Sequence, residues 1–201
     1  LQNRAVDGYA ARDRSERAAM FSSELAFDVN MHNALEATLG AIIYNQAKLD
    51  FLREQRVRIA LETGLDRTST IQRTMSNTAS EADSPLLPGS WAYIPNLQWP
   101  AYNPDQARQL LVTAQERLER INEANGSTES ADDAEATAEA SPSSAIFSFA
   151  ILTPDDPSLV SLASEIATQW SQLNLAVSVD AVDAATYQSR LQAHDFDAAL
   201  V

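Results

Sequence analysis

An α/β layer with parallel strands is the architecture expected of this 201-residue chain, and three observations lead there. The last third alternates short apolar runs with amphipathic ones, a pattern of strands joined by helical crossovers, which are right-handed by rule. Asn103 followed by Pro104 opens a stretch of roughly twenty residues with apolar positions at helical spacing. A hydrophobic share of 45% over this length supplies one good core or two small ones.

The elements follow in order along the chain. Val6 to Ala10 is a short apolar run around Gly8, and Asp13 to Phe21 has helical spacing with an acid at its start, so strand, turn, helix is expected. Glu24 to Asn30 alternates, with Leu25, Phe27 and Val29 on one side, and Leu39 to Asn45 is a short apolar run; both are expected to be strands, the second more deeply buried. From Glu54 the residues Val57, Ala60, Leu61 and Leu65 share a helix face, Gly64 stands as a C′ glycine, and Asp66 caps a further helix to about Met75.

Between Asn77 and Tyr102, Pro85, Pro88, Pro95 and Pro100 interrupt regular structure while Leu86, Leu87, Trp91, Tyr93, Ile94, Leu97 and Trp99 remain to be covered. An ordered, packed loop is expected there. In the helix that follows, Ala107, Leu110, Leu111, Ala114, Leu118 and Ile121 mark one face. Glu123 to Ser144 holds six acidic residues, no basic ones and nothing large and apolar, so it is expected to be a disordered, solvated insert. The last third reads as strand Ile146 to Leu152, helix Ser158 to Leu173, strand Ala176 to Val182, helix Ala184 to Gln192 and strand Phe196 to Val201.

Composition removes several functions. A net charge of −14 argues against a nucleic-acid partner, since a phosphate backbone is met by clustered Lys and Arg. No run of about 18 apolar residues spans a bilayer, and the first residues do not form a signal peptide. The chain starts at Leu1 without an initiator Met, and we expect an excised piece or a processed product. Without cysteine there is no disulfide framework and no thiolate metal site, and no cofactor is expected.

Four places then carry a family resemblance. Ile43-Tyr44-Asn45 precedes Leu52 to Thr68 in a "hydrophobic-Asn … valRxAl … DR" pattern; Ser84-Pro85-Leu86-Leu87-Pro88 stands before an aromatic. Tyr102 to Leu111 follows "Y-x-P-x-x-A-x-x-L-L", and Asp195-Phe196-Asp197 comes after Tyr187 and Leu191. In this order and spacing the chain resembles the extracellular solute-binding proteins of family 5, which deliver peptides, nickel complexes and related solutes to ABC importers.

The resemblance implies a single lobe of a periplasmic-binding-protein type II clamshell, with a mixed β-sheet of about five strands flanked by helices. Residues 1–122 would be the first part of the lobe, 123–144 the acidic insert and 145–201 the remainder, stopping before the segment that meets solute. It also implies an extracytoplasmic location, a small solute or peptide as ligand, an ABC permease as partner, and membrane attachment only through an anchor outside this chain. Two departures from the family pattern stand out: the acidic insert replaces a short connection, and the chain stops at Val201 before the expected contact turn.

Candidate solute contacts are few. Trp91 and Tyr93 lie between prolines, off any helix or strand face, where rigid aromatics can line a cleft, although core or hinge packing explains such residues more often. Arg190, near the end of a helix directed at the expected cleft, could meet a carboxylate, against the plainer reading of a solvated arginine. Arg53, Arg56, Arg58 and Arg67 are expected to be scaffold, paired with Glu54, Glu62 and Asp66.

His32 and His194 are far apart, with no cysteine and no H-E-x-x-H, so no metal site is expected, and His194 beside Asp195 and Asp197 reads as a surface turn. No G-x-S-x-G elbow, P-loop or dinucleotide turn is present, which argues against an enzyme. Two alternatives to import remain at this level: a solute-sensing or protein-interaction module fused to a regulator and, more distantly, a hydrolase pairing a Ser with one of the histidines.

Overall fold

The computed structural model describes residues 39–75, 79–82, 84–86, 90–94, 97, 99–124 and 145–201. All of them belong to one compact unit, Ala37–Val201. The expected elements at Val6 to Ala10, Asp13 to Phe21 and Glu24 to Asn30, and nearly all of the acidic segment, lie outside the described residues.

Among the described residues four strands form one mixed sheet in the order β1-β4-β2-β3: β1 Ile42–Tyr44, β2 Phe147–Pro154, β3 Leu175–Val182 and β4 Ala198–Leu200. β2 and β3 pair in parallel over eight residues, from Phe147 opposite Leu175 to Pro154 opposite Val182. β4 lies parallel to β2 on its other side, and β1 closes that edge antiparallel to β4. The parallel core is the arrangement that alternating apolar and amphipathic runs require. β4 is shorter than its apolar run because Phe196 and Asp197 precede the ladder.

Side chains of β2 alternate between two hydrophobic clusters, as a period of two dictates. Phe149 and Ile151 enter the larger cluster, with helix α1 (Gln55–Thr63), α3 (Pro104–Ala124) and α4 (Pro157–Ser171). Leu152 enters the smaller one, with Ala199, Phe196 and Tyr187 of α5 (Ala184–Gln192). Both faces of the sheet are therefore covered, which is why β2 is buried continuously from Ile151 to Thr153.

Helix starts follow their caps. Asp156 accepts from the amides of Ser158 and Leu159 with Pro157 behind it, Asp183 from Ala185 and Thr186, and Asn103 from Gln106 at 3.0 Å. The face expected of α3 is buried at Ala107, Leu111 and Ala114 but exposed at Ile121. The reason is length: at about 1.5 Å per residue, α1 is far too short to shadow the final turns of α3.

A polar corner joins the helices. α1 ends at Gly64, and Asp66 caps α2 (Arg67–Met75), accepting from the Ser69 amide at 2.9 Å and hydroxyl at 2.7 Å. Gln169 of α4 reaches this corner: its Oε1 accepts from the Asp66 amide at 2.8 Å and its Nε2 donates to Thr70 Oγ1 at 2.9 Å. Next to it Trp170, 1% exposed, donates Nε1 to Leu61 O at 2.9 Å and packs on Phe149 and Tyr44. Burying about 200 Å² of indole at about 25 cal/mol/Å² is worth up to about 5 kcal/mol.

Gly64 is needed for a different reason from the one expected. Its φ of −86° is open to any residue, so it is no left-handed C′ glycine. A methyl group there would overlap Leu173 Cδ1 and press on Ala60 O and Ala107 Cβ at 3.0 and 3.1 Å. Close packing of α1 against α3 and the end of α4 demands the missing side chain. Gly64→Ala should thus cost about 1–3 kcal/mol, read as a lower denaturant midpoint at unchanged slope.

The neighbouring Thr63 Oγ1 is buried without a hydrogen-bond partner, a cost of about 1–3 kcal/mol. Thr63→Val, which keeps the shape and removes the hydroxyl, should raise the midpoint.

Asp66 supplies a pH test. The Ser69 amide, opposed by partial burial and helped by the Ser69 hydroxyl, holds its carboxyl below the usual range. A carboxyl lowered by folding stabilises the protein above its unfolded value and stops doing so as pH falls through its folded value. Asp66→Ala should therefore cost about 1 kcal/mol at neutral pH, and the gap to the parent should close below about pH 4 in urea melts.

Candidate functional site

The loop between α2 and α3 presents apolar side chains to solvent, contrary to the packed loop expected. Trp91 is 99% exposed and Ile94 63%; Leu86, Leu97, Trp99 and Tyr102 are exposed as well, while Tyr93 is half-buried. Prolines keep the chain out of helix and strand, so nothing directs these side chains inward to the core. Short turns shape it instead: Ser84 Oγ accepts from the Leu86 amide at 3.0 Å, Ser90 Oγ from Ala92 at 3.4 Å, and Ser90 O from the Tyr93 amide at 3.1 Å. An apolar strip of this kind marks a surface that meets something.

The loop is tied to the corner. The Asn103 amide donates to Thr63 O at 2.8 Å, which fixes where α3 begins. The Arg67 guanidinium lies 5.4 Å over the Trp99 ring, with Nη1 3.4 Å from Ala82 O and Nε 3.7 Å from Glu81 Oε2, and Thr68 Oγ1 donates to Glu81 Oε1. Sequence reading assigned Arg67 to helix scaffold; its tie to the loop was missed.

Arg190 is engaged within the fold. Nη1 donates to Asp180 Oδ2 at 2.6 Å, and Nε donates to Asp195 O at 3.0 Å. Asp195 and Asp197 in turn each lie 3.2 Å from Lys48 Nζ, so charges alternate from Asp180 to Asp197. Burial alone would lower the Lys48 pKa, but hydrogen bonds and attraction from these two carboxylates outweigh it and raise the value.

Asn45 completes the edge, donating Nδ2 to the carbonyls of His194 and Phe196 at 2.8 and 2.9 Å, and Asp197 Oδ2 accepts the Ala150 amide at 3.0 Å. The Asn and the Phe-Asp pair of the sequence pattern thus lace β1, β2 and the start of β4 together. His194 is exposed in the turn at φ 55°, and the carboxylates beside it hold an ammonium. His32 lies outside the described residues. Among the described residues no group of three or more His, Asp or Glu is placed to hold a metal.

The other arginines serve the scaffold with partners partly unlike those expected. Arg56 lies 3.5 Å from Glu54, as anticipated. Arg58 donates to the carbonyls of Leu52 and Arg53 at 2.7 and 2.9 Å, and Arg53 donates to Gln46 O at 2.7 Å. Arg58 thus caps the last two carbonyls of the 3-10 turn Asp50–Arg53, while Arg53 ties that turn back to Gln46.

A hollow of about 330 Å³ opens elsewhere, floored by the stacked rings of Phe51 and Phe147 and rimmed by Asp50 and Glu119. Phe147 opens β2, so the hollow sits at the amino end of the parallel strands, whereas ligands of open α/β sheets bind at the carboxyl ends.

Over residues 2–201 the chain matches the family described as bacterial extracellular solute-binding proteins, family 5 middle. NikZ from Campylobacter jejuni, solved with Ni(L-His), is similar at TM-score 0.59 and 25% identity, over 81% of this chain and 29% of that one. The oligopeptide-binding protein AppA from Bacillus subtilis, solved with a nonapeptide, gives 0.58 and 22%, over 81% and 30%. The periplasmic binding protein DppA from Helicobacter pylori, solved with the peptide STSA, gives 0.59 and 18%, over 81% and 26%. No curated protein sequence matches the chain significantly. The chain spans under a third of the length of these solved relatives, and its sheet with helices on both faces is the arrangement of one lobe of a type II periplasmic binding protein. With the match running over nearly its whole length, the chain belongs to the bacterial extracellular solute-binding proteins of family 5.

Proposed function

We propose that this chain is one lobe of the solute-binding component of an ABC-type importer, taking an extracytoplasmic, peptide-like solute by clamshell closure and presenting it to a membrane permease. The observation that carries the reading is the apolar strip around Trp91, left in solvent on a chain of this family. A fully exposed indole forgoes several kcal/mol of burial, which a bound solute or an opposing lobe can recover. A peptide suits it, since backbone and side chains of a peptide pack on aromatic faces without demanding one fixed charge.

Closure does the work without any bond being made or broken. Solute favours the closed state only through contacts absent from the open one, so Trp91 and Tyr93 contribute if they meet solute on closing. We assign Arg190 to the scaffold: a solute carboxylate would first have to displace Asp180 and Asp195. Import needs an extracytoplasmic location, in keeping with the family's description, and we place attachment to the membrane in an anchor elsewhere in the protein. Among the described residues no helix is long and apolar enough to cross a membrane.

The full-length protein should show a rise in melting temperature with at least one of the peptide STSA, the dipeptide Met-Leu, a nonapeptide and Ni(L-His), the solutes of similar solved proteins. Trp91→Ala should weaken that binding by about tenfold, about 1.4 kcal/mol, with the unliganded melt nearly unchanged. A folded protein that responds to none of a broad panel of peptides, sugars and nickel complexes would count against the reading.

A further inference from the structure

We infer that Arg67 is the positioning residue of the aromatic loop, and through it of the solute contacts proposed above; the second half of this inference rests on that proposed function. Arg67 is the first residue of α2, where the helix dipole favours acids and disfavours a cation. Its residue type therefore opposes the needs of its own helix, and its contacts show what it serves. The guanidinium touches the loop on both sides of Trp91: Ala82 O and Glu81 before it in sequence, the ring of Trp99 after it.

One side chain thus closes the span from residue 82 to residue 99, and the exposed Trp91, half-buried Tyr93 and exposed Ile94 lie inside that span. Closing a loop at its base removes conformational freedom that would otherwise be lost on binding, so affinity gains from the pre-ordering. Only arginine meets all three partners together. Its planar group stacks on indole while its N–H groups donate in the plane, whereas a lysine ammonium is a point charge with no face. The α2 side is rigid in turn, because Asp66 and Thr70 are held by Gln169 of α4.

Hydrogen exchange on the full-length protein tests the anchoring without any solute. Arg67→Lys keeps the charge and loses the planar guanidinium over the ring; Trp99→Leu removes the same contact from the loop side and guards against a folding defect peculiar to Arg67. Each should speed exchange of the 79–101 amides by about tenfold, and the double variant should add little to either single one, as expected of a contact pair. Affinity for whichever of Met-Leu, STSA or Ni(L-His) the parent binds should fall by about tenfold in both variants, with Trp91→Ala run alongside.

Unchanged exchange in both variants overturns the inference, as does a double variant whose effect is the full sum of the singles. If Trp91→Ala weakens binding and the Arg67 and Trp99 variants do not, positioning for solute is overturned while the solute-binding reading stands. If the loop loosens and none of the three variants alters solute affinity, Arg67 remains the anchor of the loop and it is the solute reading of the loop that falls.

Discussion

Gln169 and Trp170, adjacent in the last turn of α4, hold the corner between α1 and α2, and most of the remaining architecture hangs from that corner. Trp170 Nε1 and Gln169 Oε1 pair with backbone of the corner, the Leu61 carbonyl and the Asp66 amide, while Gln169 Nε2 donates to Thr70 Oγ1. Buried backbone groups cost free energy unless paired, so the bonds from α4 stabilise the chain where α1 gives way to α2. Gly64 lets the approach be close, and Thr63 O, at the same bend, receives the first amide that launches α3.

From the corner outward, order passes to the surface through progressively weaker contacts. Indole burial and hydrogen bonds in the interior are worth kilocalories each, whereas the alternating chain from Asp180 to Asp197 is largely exposed and its pairs are each worth at most about 1 kcal/mol. That chain secures the turn before β4 and keeps Arg190 committed to the scaffold. Among the described residues of the loop bearing Trp91, Arg67 reaches Ala82, Glu81 and Trp99, so the exposed aromatic strip is tied to the corner through a surface side chain.

The regular elements were legible because period and caps are local. Asn103 with Pro104 marks a helix start that the structure places where the residues say, the helices expected from Ser158 and Ala184 begin within a residue of those positions, and the apolar runs at Ile146 and Ala176 became β2 and β3 within a residue or two. Gly64 shows the limit. Sequence identifies a glycine near a helix end, but a left-handed turn and a close contact with Leu173 ask for the same residue, and only φ and the neighbours distinguish them. The loop is a second case: apolar residues predict burial only where an element turns them inward, and between prolines no element does.

What the amino-acid sequence alone determined is the α/β architecture and the family, since these depend on periodicity and motif order, both readable along one dimension. Tertiary structure alone decided which charges meet. Arg190 closes on Asp180 and Asp195, Lys48 on Asp195 and Asp197, and Arg67 on a loop running from residue 82 to residue 99. Most of these contacts join residues far apart in the chain or on different elements, and side-chain chemistry names what a group can bind, while distance in the folded molecule selects what it does bind.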